Sequence, residues 1–374
     1  MRIPLLDLNR QNLALARPLT DAFERVLRSG HFILGPEVQL FEEQIAKMVE
    51  AKHAVGVSSG TDAILLALMA LDIGPGDEVL CPSFTFFATA GCIARVGAIP
   101  IFVDSDAITF NIDPADAAKR ITQRTKAIIP VHLFGQSADL DPILALARGH
   151  NIAVIEDAAQ ALGAKYRNRN VGTIGTVGTY SFFPSKNLGG FGDGGMLVTN
   201  DDALAERARL LRSHGAKPKY YHRVVGGNFR LDALQAALIA VKIPHCAAYT
   251  DARRANARYY AERLASLEKA ERIILPRESD YAWSIWNQFT LRIGGGKREA
   301  VREQLASLGV STEIYYPVPM HEQACFGALN YRAEDIPIAS RLARESLSIP
   351  IFPELTGDER AAVVGALTGV FEKV

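Results

Sequence analysis

At 374 residues, 48% apolar and 22% charged, the chain is long enough for two globular domains and too apolar to be disordered. Its 41 basic and 41 acidic side chains cancel without any long run of one sign, which removes the electrostatic footprint of a nucleic-acid or anionic-membrane binder. Asp7 and Asn9 break the only apolar stretch near the N-terminus, and no window approaches a membrane span, so a cytoplasmic protein is expected.

In chain order, Phe23–Leu27 and Phe41–Val49 have helical spacing and are split by the turn at Gly35-Pro36. β-branched runs then predict strands at Ala54–Val57, Glu78–Cys81, Ile99–Val103, Ala127–Val131, Ala153–Ile155, Thr179–Phe182 and Met196–Val198. Helical patterns such as Thr61–Ala70 and Ile143–Arg148 lie between several of them. That alternation implies βαβ crossovers. Leu204–Leu211 and Leu231–Val241 read as helices, the second stopping before Pro244. From about Thr250 the character changes to a charged helix (Asp251–Leu267), a strand-like run (Gln288–Ile293), a glycine turn and a helix over Arg298–Leu308. The expected fold is α/β: a mostly parallel mixed sheet sandwiched by helices over residues 1–249, with a smaller α+β domain over 250–374. Cys81, Cys92, Cys246 and Cys325 lie far apart without a C-x-x-C pair; they read as buried small side chains in a reducing compartment rather than metal ligands.

Four segments carry possible chemistry. Ser58-Ser-Gly-Thr-Asp62 joins a strand to a helix, where small residues let an anion approach unpaired helix N–H groups; a plain N-cap by Thr61 or Asp62 is the simpler account. Phe84-Thr-Phe86-Phe87 follows a strand and offers a ring for stacking, although core packing is the default for each ring. Glu156-Asp157-Ala-Ala-Gln160 places a carboxylate at a strand's carboxyl end, where open parallel sheets bind ligands, or else caps the next helix. Thr179-Tyr-Ser-Phe-Phe-Pro-Ser-Lys186 runs into a glycine-rich stretch ending at Gly195. Alone, Lys186 is a surface lysine; held by such a backbone and desolvated, it becomes a nucleophilic amine. Together the four supply what pyridoxal phosphate requires: an anchored phosphate, a stacked ring, a carboxylate for the ring nitrogen and an amine for the aldehyde.

These residues resemble the DegT/StrS-type sugar aminotransferases of the fold-type I pyridoxal-phosphate enzymes, from Leu6-Asp-Leu to about Leu355. Matching stretches include Gly35-Pro-Glu-Val, Gly74-Pro-Gly-Asp-Glu-Val, Gly97-Ala-Ile-Pro-Ile-Phe-Val-Asp, Gly227-Asn-Phe-Arg-Leu-Asp232 and Glu313-Ile-Tyr-Tyr-Pro-Val-Pro-Met-His321. The resemblance implies that Lys186 bonds the cofactor and acts as general acid and base, Asp157 binds the pyridinium nitrogen, and Gln160 meets the phenolic oxygen. It further implies that Gly60, Thr61 and Ser181 hold the phosphate, that Phe86 covers the ring, and that Asn228 arrives from a partner subunit, making a homodimer with shared sites. Arg230, Tyr315 and His321 match positions near the sugar, His321 serving equally well as a structural loop histidine. The implied donor is glutamate and the acceptor a nucleotide-linked keto-sugar, as in amino-sugar, lipopolysaccharide or glycan biosynthesis. Asp193, within Gly192-Asp-Gly-Gly195, favours a 3-keto over a 4-keto sugar. The competing readings are a ketone without a nucleotide, such as a keto-inositol, and a non-catalytic regulatory homologue.

Overall fold

The computed structural model describes residues 2–372; residues 1, 373 and 374, at the outer ends of the two expected domains, lie outside the described residues. Helices α1 (Leu8–Ala14), α2 (Ala16–Ser29) and α3 (Pro36–Val49) lead into β1 (His53–Val57). Helices and strands then alternate through α4 (Gly60–Ala70), β2 (Glu78–Pro82), α5 (Phe87–Arg95), β3 (Ile99–Val103), α6 (Pro114–Arg120), β4 (Thr125–Ile128), α7 (Leu140–His150) and β5 (Ala153–Asp157). A short hairpin, β6 (Lys165–Tyr166) and β7 (Arg169–Asn170), precedes β8 (Val177–Ser181), β9 (Gly195–Thr199), α8 (Asp202–Arg212) and α9 (Ala233–Ala240). The rest comprises α10 (Cys246–Lys269), β10 (Ala282–Trp283), β11 (Phe289–Arg292), α11 (Arg298–Ser307), α12 (Pro337–Glu345), β12 (Ser346–Ile349) and α13 (Gly357–Phe371).

The main sheet has seven strands in the order β1-β9-β8-β5-β4-β2-β3. From β8 through β5, β4 and β2 to β3 all pairings are parallel, whereas β9 runs antiparallel to both its neighbours, β8 and β1. The sheet is therefore mixed and mostly parallel, as expected. Every strand but β9 ends at the same edge, the edge at which open α/β sheets bind their ligands.

The strand expected over Ala127–Val131 stops at Ile128. Pro130 has no N–H to donate to the ladder, though its carbonyl accepts from Asp157 N at 2.9 Å. One apolar cluster, with Val57, Leu68, Phe102 and Ile155, fills the side of the sheet under α4 and α5. A second, with Phe41, Tyr180, Phe182, Leu231 and Ile239, fills the other side under α3 and α9.

A third cluster, with Tyr260, Phe289, Leu291, Val301, Leu347 and Val363, belongs to the C-terminal unit and its two-stranded β11–β12 sheet. Ile3 joins this cluster, while Met320, Phe326 and Leu342 pack into the first. The chain thus crosses between the units at both ends, and position 249/250 falls inside α10. Cys81, Cys92 and Cys246 are buried as expected, but Cys325 is exposed on a short 3-10 turn. Among the described residues no helix is long and apolar enough to cross a membrane.

The middle of β1 is gripped by an ion pair between α3 and α8. Glu42 accepts from Gly56 N at 2.7 Å and from Arg212 Nη1 at 2.5 Å, and the same Nη1 donates to Gly56 O at 2.9 Å. Breaking such a pair strands a charge. Arg212→Met should cost about 3 kcal/mol in urea unfolding, and adding Glu42→Met should recover part of that loss.

Candidate active site

The β1–α4 turn owes its shape to two close approaches. A Cβ on Gly60 would lie 2.8 Å from Ser181 Cβ, and one on Gly195 would lie 2.3 Å from the carbonyl carbon of Ser59. Only glycine lets the start of α4 press against the β8–β9 pair. Ser59, not Thr61 or Asp62, caps α4, its Oγ accepting from Asp62 N at 3.0 Å, while Ser58 Oγ donates to Asp62 Oδ2 at 2.5 Å. Ala63 N donates to Ser59 O at 3.0 Å, so the N–H groups of Gly60 and Thr61 are the ones left without a hydrogen-bond acceptor among the described residues. Gly60, Thr61 and Ser181 are thus brought together.

Asp157 ends β5 and is 4% exposed. Thr89, on α5, donates to its Oδ2 at 2.8 Å, and Ala159 N donates to its Oδ1 at 3.2 Å. Burial raises the pKa of Asp157; the two donors and the positive charge of Lys186 oppose that without overcoming it. Gln160, three residues on, accepts from Phe134 N at 2.8 Å and donates to Tyr316 Oη at 3.0 Å, leaving one amide hydrogen.

Lys186 lies on the loop that leaves β8, in a turn closed by its own N–H to Phe183 O at 2.8 Å. Although the residue as a whole is half-buried, burial of its amine lowers the pKa to about 8, and the negative charge of Asp157 pulls it back only partly. No hydrogen-bond or ion-pair partner for this amine occurs among the described residues.

The aromatic segment splits. Phe84 is buried in the core, while Phe86 and Phe87 are exposed. Phe86 stands at the start of α5 with its ring centroid 6.0 Å from that of Tyr316. Asn228 is exposed on a strap whose backbone bridges to Ser213, and the next residues run along the end of β1: Ser58 N donates to Phe229 O at 3.0 Å and Arg230 bridges to Val57. Arg230 Nε is buried without a partner. Tyr315 lines a narrow cleft with Ser185, Arg253, Asn287 and Gln288. Asp193 is exposed on the return limb of the lysine loop, two residues before β9.

His321 is buried, and both its ring nitrogens are engaged, Nδ1 with Ser83 Oγ at 2.6 Å and Nε2 with Ser340 Oγ at 3.2 Å. These bonds account for it as a link between the end of β2 and α12.

The sequence reading missed Thr89 and Tyr316. Tyr316 had a signal, since it stands within the Glu313-Ile-Tyr-Tyr stretch next to Tyr315. Thr89 had none, because a threonine one turn into a helix is ordinary.

The donor set fits pyridoxal phosphate. The Gly60 cradle leaves helix N–H groups for a phosphate, Asp157 keeps lone pairs for a ring nitrogen, and an amine without a partner waits beside them.

The sequence pattern of the DegT/DnrJ/EryC1/StrS aminotransferases matches residues 15–368. The chain is 49% identical to "Pleiotropic regulatory protein" of Geobacillus stearothermophilus, over 97% of both chains. It is 44% identical to a UDP-N-acetyl-3-dehydro-alpha-D-glucosamine 3-aminotransferase of Acidithiobacillus ferrooxidans, over 96% of both. Its fold superposes on crystalline DesV of Streptomyces venezuelae, solved with a ketimine intermediate, at a TM-score of 0.96 and 41% identity, covering 100% of this chain and 99% of that one. It also superposes on NtdA of Bacillus subtilis with bound cofactor PMP, at a TM-score of 0.94 and 30% identity, covering 99% of this chain and 85% of that one.

Competitive acetylation of the cofactor-free chain, read by peptide mass, should give Lys186 a titration midpoint near 8, against about 10.4 for exposed lysines. Asp157 favours the ammonium form, so Asp157→Asn should move that midpoint lower. An upward movement would contradict the assignment.

Proposed function

The chain belongs to the DegT/DnrJ/EryC1/StrS aminotransferase family and is a sugar aminotransferase, and from that premise we propose that it transfers an amino group from glutamate to C3 of a nucleotide-linked 3-keto sugar, using pyridoxal phosphate at Lys186. The observation that carries this reading is the unpartnered, desolvated Lys186 amine standing in the field of the buried Asp157 carboxylate. The name of the Acidithiobacillus relative and the Asp193 position favour the 3-keto sugar.

In this reading the β1–α4 turn (Gly60, Thr61) and Ser181 hold the phosphate, and Phe86 covers the ring. The remaining amide hydrogen of Gln160 serves the phenolic oxygen. Asp157 keeps the ring nitrogen protonated, because a nearby anion favours the charged form of a base. When bound, the cofactor supplies an electron-accepting ring that lets a proton leave the carbon bearing the amine. Lys186 does the proton work. With its pKa near 8, a usable fraction is neutral at pH 7 to 8, able to take a proton from the donor carbon and deliver it to the neighbouring one. Arg230 and Tyr315 flank the sugar. Asn228 belongs to the site of a second copy, in a homodimer with shared sites. We assign His321 to structure, since its ring nitrogens are already bonded.

The name of the Geobacillus relative keeps a regulatory reading in view, and the two readings separate cleanly. Added pyridoxal phosphate should give the protein a visible absorbance that Lys186→Ala abolishes, with a loss of roughly 10²–10⁴ in turnover. Glutamate and a panel of UDP- and dTDP-linked 3-keto and 4-keto sugars should yield a 3-amino product by mass and NMR. No amination of any member would favour the regulatory reading. Mixing Asn228→Asp chains with Lys186→Ala chains should restore activity through the one intact site of each heterodimer; no rescue despite proven exchange would remove Asn228 from the site.

A further inference from the structure

The lysine loop begins where sheet pairing stops. The β8–β9 register ends at Ser181 opposite Gly195, so the backbone groups between them must find other partners. At the base, Phe182 N donates to Gly194 O at 2.8 Å and Gly190 N to Phe182 O at 2.7 Å. The loop then folds on itself, because a Cβ on Gly189 would lie 2.1 Å from Pro184 O. Its return limb is held by two side chains, one on α9 and one just after it. Gln235, on α9, accepts from Phe191 N at 2.9 Å, and a Cβ on Gly192 would lie 2.9 Å from its amide nitrogen. Lys242, just after α9, donates to Gly189 O at 2.8 Å and sits 4.5 Å from the centre of the Phe191 ring.

Lys242 is 1% exposed and has no carboxylate within ion-pair distance among the described residues. Burying an ammonium with one carbonyl and one ring is a costly way to fill space, which an apolar side chain would do better. What an apolar side chain would not do is hold the Gly189 carbonyl. We propose that Gln235 and Lys242 are positioning residues for Lys186, fixing the return limb of its loop and thereby the place of its amine. The inference rests on the reading of Lys186 as the group that bonds the cofactor aldehyde. It assigns α9 a task in the active site although neither side chain belongs to the cofactor contacts.

The test uses the full-length cofactor-free chain with pyridoxal phosphate as the probe. The neutral Lys186 amine adds to the aldehyde carbon and water leaves; borohydride then delivers hydride to the C=N bond, fixing a secondary amine that peptide mass locates. The rate constant at saturating probe and the concentration giving half of it are measured for the wild type, Gln235→Leu, Gln235→Glu and Lys242→Met, alongside thermal unfolding. Gln235→Leu and Lys242→Met should lower the saturated rate constant about tenfold while leaving the half-saturating concentration in place. Gln235→Glu keeps an oxygen for Phe191 N and should trap at the wild-type rate. Hydrogen exchange across residues 183–195 should rise in the two slow variants alone. Should Lys242→Met fail to fold, the Gln235 pair decides. Wild-type trapping with Gln235→Leu as fast as Gln235→Glu overturns this inference, whereas no trapping at Lys186 in the wild type overturns the functional reading beneath it.

Discussion

A desolvated amine in the field of a buried carboxylate is the constraint on which this architecture turns. Burial alone pushes Lys186 toward its neutral form and Asp157 toward its protonated form, and each charge restrains the shift of the other. The balance depends on distance, so both groups need rigid supports. The sheet provides them: β5 and β8 are adjacent and parallel, with Asp157 directly opposite Thr179 in the register. The carboxylate therefore ends one strand, and the lysine loop leaves its neighbour a few residues later.

The residue before Asp157 shows how much the surroundings decide. Glu156 is also fully buried, but it faces the other side of β5, where it accepts from Gly172 N and Ile174 N at 2.7 Å, Gly175 N at 2.5 Å and His132 Nε2 at 3.0 Å. His132 Nδ1 accepts from Ala138 N at 3.1 Å, which places the ring proton on Nε2, where it donates to Glu156. Burial would raise the Glu156 pKa, yet these donors outweigh it and hold the group below the usual carboxylate range. Asp157, with two donors, ends above it. One carboxylate is spent on fixing the end of β5 and the loop after β7, and its neighbour keeps lone pairs for a ligand.

Much of this was legible in the sequence. Strand alternation announced the parallel sheet, since near-continuous apolar runs such as Ala127-Ile-Ile-Pro-Val fit burial on both faces, and Ala127 and Ile128 are both buried in β4. The lysine loop stood out because its glycines and Pro184 have no purpose in an ordinary surface turn. The antiparallel course of β9 was hidden, because period-two patterns carry no direction. α13 went unread although Thr356-Gly-Asp-Glu359 is a capping-box sequence, and Thr356 and Glu359 do exchange side-chain bonds with each other's N–H groups at 3.2 and 2.9 Å. Thr89, Gln235 and Lys242 could not be found by pattern. Their roles arise from contacts across 68, 44 and 53 residues of sequence, and nothing in their local surroundings marks them.

The neutral net charge of the chain also acquires a physical meaning. A protein that draws anionic ligands by its overall field would recruit phosphates of every kind. In the proposed reading the anion-seeking groups are local and directional: the N–H groups at the start of α4, beside the close Gly60–Ser181 approach, the Ser181 hydroxyl and the unpaired Nε of Arg230 beside Val57. Such donors act over hydrogen-bond distances and reward geometry as well as charge. The stretch between α11 and α12 reaches the same sheet edge. Tyr316 accepts from the Gln160 amide at 3.0 Å, and its ring lies tilted against that of Phe86, with the centroids 6.0 Å apart. In that reading recognition is a property of assembled edges, and a change far from Lys186 that loosens either edge acts on the site through geometry, with no charge altered.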